Sequence, residues 1–117
     1  MFQIKDYQTW IPLSKLCLAD IPAAQNTGFV YMLRKIDSKE IVYIGETGNL
    51  RQRMFKNFIG GTRGGTTQRI HSYLFKDDTY KNIEVAWIES SKRKIQETML
   101  LEEYQSKHGR LPKWNKR

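Results

Sequence analysis

Cysteine is nearly absent from this chain. Cys17 is the single one, so no intramolecular disulfide can form, and an inert thiol in a reducing, cytoplasmic setting is expected. Long apolar runs are missing too: none approaches the roughly 18 residues that a bilayer span needs, so no membrane association is expected. Acid and polar residues interrupt the N-terminal MFQIKDYQTWIPL and spoil it as a signal peptide. There is no internal repeat, low-complexity tract or linker, which points to one domain in 117 residues. With 39% hydrophobic residues and 8 glycines, a domain of this size can bury a real core, which excludes a disordered chain.

The most informative shortage is local. From Thr47 to Lys76 there is no Asp or Glu, yet the stretch carries Arg51, Arg53, Lys56, Arg63, Arg69 and Lys76. A second acid-free stretch runs from Tyr104 to the end with Lys107, Arg110, Lys113, Lys116 and Arg117, whereas residues 1–27 balance Lys5 and Lys15 against Asp6 and Asp20. The net charge of +8 is therefore concentrated. Cations interleaved with Phe55, Phe58, Tyr73 and Trp114 suit a phosphate backbone, which releases counterions for each charge neutralised. A solubilising surface is the competing explanation. Charge alone names no reaction.

Hydrophobic patterning predicts a short helix over Ile11–Ala24, closed by Ile21-Pro22, as a cap (residues 1–27) on a main unit at 28–117. GFVYMLRK and IVYIG, separated by a turn at Asp37-Ser38, read as an antiparallel hairpin. Thr47 or Asn49 can cap a helix through Phe58, and Gly60, Gly61, Gly64 and Gly65 precede a second helix that starts near Thr66 or Thr67. IEVAWIES supplies a third strand, and a long helix from Ser90 or Ser91 ends near His108 at Gly109, with Pro112 beyond. The expected fold is a small α/β domain, a three-stranded antiparallel sheet flanked by helices.

Two geometric clues follow. With the turn centred on Asp37, Tyr31 and Tyr43 lie opposite each other on one face, about 5 Å apart at Cβ, although ordinary strand aromatics satisfy the same pattern. On the last helix, at about 100° per residue, Leu100, Leu101 and Tyr104 define an apolar arc and Glu97 projects into its middle, while Glu102 and Glu103 face solvent. A carboxylate aimed at an apolar face needs a partner. A structural Arg or a divalent cation would serve. Ile95 and Met99 fall on another side, which predicts broader burial of the helix.

Tyr31 preceded by Phe-Val, Tyr43-Ile44-Gly45 twelve residues on, then Glu46-Thr47-Gly48-Asn49-Leu50 and Arg53, resembles the GIY-YIG nuclease family over roughly residues 28–115. The resemblance implies a metal-dependent DNA endonuclease. Its site would comprise Tyr31, Tyr43, Arg53 eight residues after Gly45, Glu97 in the spacing Glu-x-x-Leu-Leu-x-x-Tyr as ligand of one Mg²⁺ or Mn²⁺, and Asn115 at the terminal Asn position. Phe29 stands where the family usually has glycine, and Ser106–Leu111 lengthen the gap from Glu97 to Asn115, which leaves Glu103 as a second candidate ligand. Arg51, Lys56, Arg63, Arg69, His71 and Asn115 are the expected nucleic-acid contacts. A homodimer or successive nicking would cut both strands. The alternative is a binding module that keeps the fold without catalysis.

Overall fold

The computed structural model describes residues 1–23, 27–62 and 64–116. Its centre is an antiparallel sheet of four strands: β1 (Ile11–Pro12), β2 (Gly28–Lys35), β3 (Ile41–Thr47) and β4 (Ile83–Ser90), in the order β1-β4-β2-β3. The fourth strand corrects the expected three. Ile11 and Pro12 pair with Val85 and Glu84 instead of opening a helix, and residues 13–23 continue through short 3₁₀ turns at Leu13–Lys15 and Leu18–Asp20. Proline explains this locally: it biases the residue before it away from the helical region and, lacking an N–H, is tolerated at a sheet edge. Ala24, the expected end of that helix, lies outside the described residues. Leu13, Leu16 and Ile21 still reach the core, and the Arg51 Nε donates to the Ile21 carbonyl at 2.7 Å.

Strand alternation sends side chains into two cores. Phe29, Tyr31 and Leu33 of β2 and Ile83 and Val85 of β4 face one side, with Leu50, Met54, Phe58, Ile70 and Leu74 packed over them. Val30, Met32, Ile44 and Ala86 face the other and meet Leu100, Leu101 and Tyr104. The first core is covered by a π-helix at Gln52–Ile59 and by α1 (Thr66–Leu74), the second by α2 (Arg93–His108). Asn49 Oδ1 accepts from the Gln52 N–H at 3.1 Å, and Thr47 Oγ1 accepts from the Asn49 N–H at 3.1 Å, so both expected capping residues serve the turn before the π-helix.

The hairpin register differs from the symmetric one. Tyr31 pairs with Gly45 and Leu33 with Tyr43, and the register shifts between Leu33 and Arg34. Val42 is the extra residue of a β-bulge, and both it and its neighbour Tyr43 enter the first core. A two-residue offset preserves the face, so Tyr31 and Tyr43 remain on one side, diagonal to each other rather than opposed.

Candidate active site

Tyr31 and Tyr43 stand with ring centroids 6.1 Å apart, and Phe58 meets both rings edge-on at 5.9 and 6.1 Å. Gly45 makes room for this pair. A Cβ there would come within 2.6 Å of Tyr31 Oη and 2.7 Å of Tyr43 Cε2. The two phenols differ in access: Tyr31 is 1% exposed and Tyr43 is 9% exposed at the rim of a cleft.

That cleft, about 260 Å³, is built from four elements. β3 contributes Tyr43, α1 contributes Thr66 and Arg69, α2 contributes Glu97, Thr98 and Leu101, and the C-terminal segment contributes Asn115 and Lys116. Because β3 is an edge strand, Glu97 on the helix of one face can share a cleft with a tyrosine of the other face. Leu100, Leu101 and Tyr104 are buried as the helical phase predicts, and Glu97 is half-buried. Ile95 and Met99 depart from expectation. They are exposed, because they occupy the side of α2 turned away from the sheet.

The other candidate carboxylate has different work. Glu103 is half-buried rather than solvent-facing, and its Oε1 accepts from the Ile4 N–H at 3.1 Å, tying down the N-terminal segment. Glu46 binds the Arg93 Nε at 2.7 Å, and Glu84 binds Arg34. Asp77 and Asp78 sit exposed in a turn with positive φ. Among the described residues no three His, Cys, Asp or Glu side chains gather as a metal cluster.

Burial pushes the Tyr31 hydroxyl well above its ordinary pKa, with Tyr43 adding to the rise and Arg53 opposing it. Tyr43 is also raised, by burial and then by Glu97, while Arg53, Arg69 and the neighbouring Tyr31 hydroxyl pull it down. Both phenols are therefore protonated at neutral pH. Glu97, Arg53 and Arg69 all act on Tyr43, which makes it the electrostatic meeting point of the site. The Nε of Arg53 and that of Arg69 are buried without a partner among the described residues.

The expected nucleic-acid contacts are scattered. Arg69 reaches the cleft, and Lys56 is exposed on the π-helix. Arg51 is bound to Ile21, and the His71 Nδ1 lies 2.7 Å from the Phe58 carbonyl with its ring against Phe75. Arg63 lies outside the described residues, as does Arg117. Asn115 clamps β3: its Nδ2 donates to the Ile44 carbonyl and its Oδ1 accepts from the Ile44 N–H, both at 2.9 Å. Sequence reasoning did not single out Thr98 as a wall residue, although its place beside Glu97 on α2 was a usable signal. It also missed the clamp, whose partner is 71 residues away and leaves no local signature.

No curated protein and no solved structure matched the chain significantly. A family model described as the GIY-YIG catalytic domain matches residues 27–112, most of the chain. Members of that family are nucleases, act on nucleic acid and generally use divalent metal ions. With the paired tyrosines on adjacent strands and a carboxylate helix closing over the sheet edge, the match places this chain in the GIY-YIG nuclease family.

Proposed function

We propose that this protein is a metal-dependent DNA endonuclease that hydrolyses phosphodiester bonds by direct attack of water. One observation carries the reading: Tyr43 and Glu97, from opposite faces of the sheet, line one cleft together with Arg69. The cleft offers hard oxygen donors, a single carboxylate with the hydroxyls of Thr66 and Thr98. That set fits one Mg²⁺ or Mn²⁺, ions that keep several waters and take substrate phosphate oxygens in preference to an all-protein cage. Held by Glu97, such an ion would supply charge stabilisation to the reaction.

The protein's own groups do the rest. Tyr43, the more accessible phenol, orients the attacking water. Tyr31 packs against the Tyr43 ring, with centroids 6.1 Å apart, and holds it in place. Arg53 places its charge beside both phenols, where negative charge builds on the phosphorus substituents. Because Tyr43 keeps its proton at neutral pH, it orients the attacking water by accepting a hydrogen bond at its hydroxyl oxygen. It can take the water's proton only as its own passes to a phosphate oxygen, while the new bond to phosphorus forms and the bond to the leaving oxygen breaks. One such site cuts one strand at a time, and two copies or two successive nicks sever a duplex.

The test is plasmid nicking with and without Mg²⁺ or Mn²⁺ by the wild type and by Glu97→Gln. Wild type should nick only with the divalent ion, and Glu97→Gln should lose about a thousandfold in rate, comparable with removal of one strong electrostatic element. Equal rates for the two proteins would remove Glu97 as the ligand. Salt-sensitive binding with no cleavage by the wild type would identify a binding module instead.

A further inference from the structure

Two arginines act on Tyr43, and they are held differently. Arg53 belongs to the π-helix and acts on both phenols. Arg69 belongs to α1, lines the cleft, and donates from Nη2 to the Trp114 carbonyl at 2.9 Å. That carbonyl is itself fixed. The Trp114 N–H donates to the Val42 carbonyl at 2.8 Å, the indole is buried against Tyr73, and the next residue is the Asn115 clamp on Ile44. Lys116 follows immediately and lines the same cleft. Residues 113–116, which hold Arg69 and carry Lys116, lie beyond the family match at 27–112.

Neither Arg69 nor Lys116 makes an ion pair among the described residues. The buried Arg69 Nε has no acceptor there. A fixed guanidinium and an ammonium lining one polar cleft form an anion site whose arginine is organised before the ligand arrives. Arg53, which acts electrostatically on both phenols without lining the cleft, is the cation assigned to the phosphate under attack. We propose that Arg69 and Lys116 form a second phosphate subsite, which takes the backbone phosphate next to the one that is cut. The proposal rests on the nuclease reading and narrows its substrate: the enzyme acts on a polyanionic strand rather than on an isolated phosphodiester.

The test varies the charge of the neighbouring linkages. Two thymidine oligonucleotides are compared, one with phosphodiesters throughout and one whose single phosphodiester is flanked by neutral methylphosphonates. Wild type should prefer the fully charged strand about tenfold per bond in kcat/KM, the size of a charge-assisted contact. Arg69→Ala and Lys116→Ala should each shrink that preference several-fold. A purely structural role would lower both rates by one factor and leave the ratio at the wild-type value, which overturns the proposal. Lys116 is exposed, so its variant keeps the test open if Arg69→Ala fails to fold. In parallel, the salt dependence of oligonucleotide affinity is measured in EDTA, where the slope should fall by about 1 for each variant. An unchanged slope in both variants would likewise overturn the subsite. If the wild type cleaves neither strand with any divalent ion, the nuclease reading fails while the slopes still decide the subsite.

Discussion

A methyl group added at Gly45 would stand 2.6 Å from the Tyr31 hydroxyl and 2.7 Å from the Tyr43 ring. The Tyr31 ring has no room to yield, since it is buried between Tyr43 and Phe58. The glycine of IVYIG is therefore required by space, not by backbone conformation, for its φ is not positive. Gly45→Ala should lower folding stability by about 1–3 kcal/mol, the usual cost of overpacking a core. Its cleavage rate should drop further than the folded fraction accounts for, because both phenols must move. Urea denaturation and nicking rates measured at a temperature where the variant is fully folded check this. A folded variant with wild-type rate would show that the tyrosine geometry does not matter to cleavage.

Elements were legible where their signals are local. The hairpin, β4, α1 and α2 follow from β-branched runs, helical phase and glycine punctuation within the segments themselves, although α2 opens at Arg93 after Lys92 rather than at Ser90 or Ser91, because Ser90 still belongs to β4. β1 was not legible, because two residues become a strand only through pairing with Val85 and Glu84 far along the chain. The hairpin register slipped for a related reason: a bulge at Val42 depends on how the turn closes, with the Lys35 N–H donating to the Glu40 carbonyl and Lys39 at positive φ. The π-helix also lay outside a reading that assumes 3.6 residues per turn. By contrast the end of α2 obeys a local rule. Gly109 has φ 74°, its N–H donates to the Gln105 carbonyl, and a Cβ there would meet nothing within 4 Å. Gly109→Ala should thus cost only backbone strain, about 1 kcal/mol, visible as a lower denaturation midpoint. Nicking by the folded variant should stay at the wild-type rate, since the helix end lies outside the cleft.

At the scale of the molecule, the candidate site lies on a seam. Its tyrosines belong to one core and its carboxylate helix to the other, and the two come together at the edge strand β3. Helical phase and family resemblance could select Glu97, but neither shows why the edge stays closed to other strands. Asn115 closes it, since its carboxamide pairs with the N–H and carbonyl of Ile44 as a neighbouring strand would. Asn115→Ala leaves both backbone groups of a fully buried residue without their partner. The expected loss is about 1–3 kcal/mol of stability, with water recovering part of it. Hydrogen exchange at the Ile44 amide should accelerate relative to amides of β2, which keep strands on both sides. Because Trp114 and Lys116 flank the clamp, cleavage should weaken in the same variant through displacement of Arg69 from its carbonyl anchor. Asn115→Asp separates the two halves of the clamp: it retains an acceptor for the Ile44 N–H and sets a carboxylate against the Ile44 carbonyl. Its amide protection should exceed that of the alanine variant while its stability does not. If Ile44 stayed as protected in Asn115→Ala as in wild type, the edge would be held by the Trp114–Val42 bond alone.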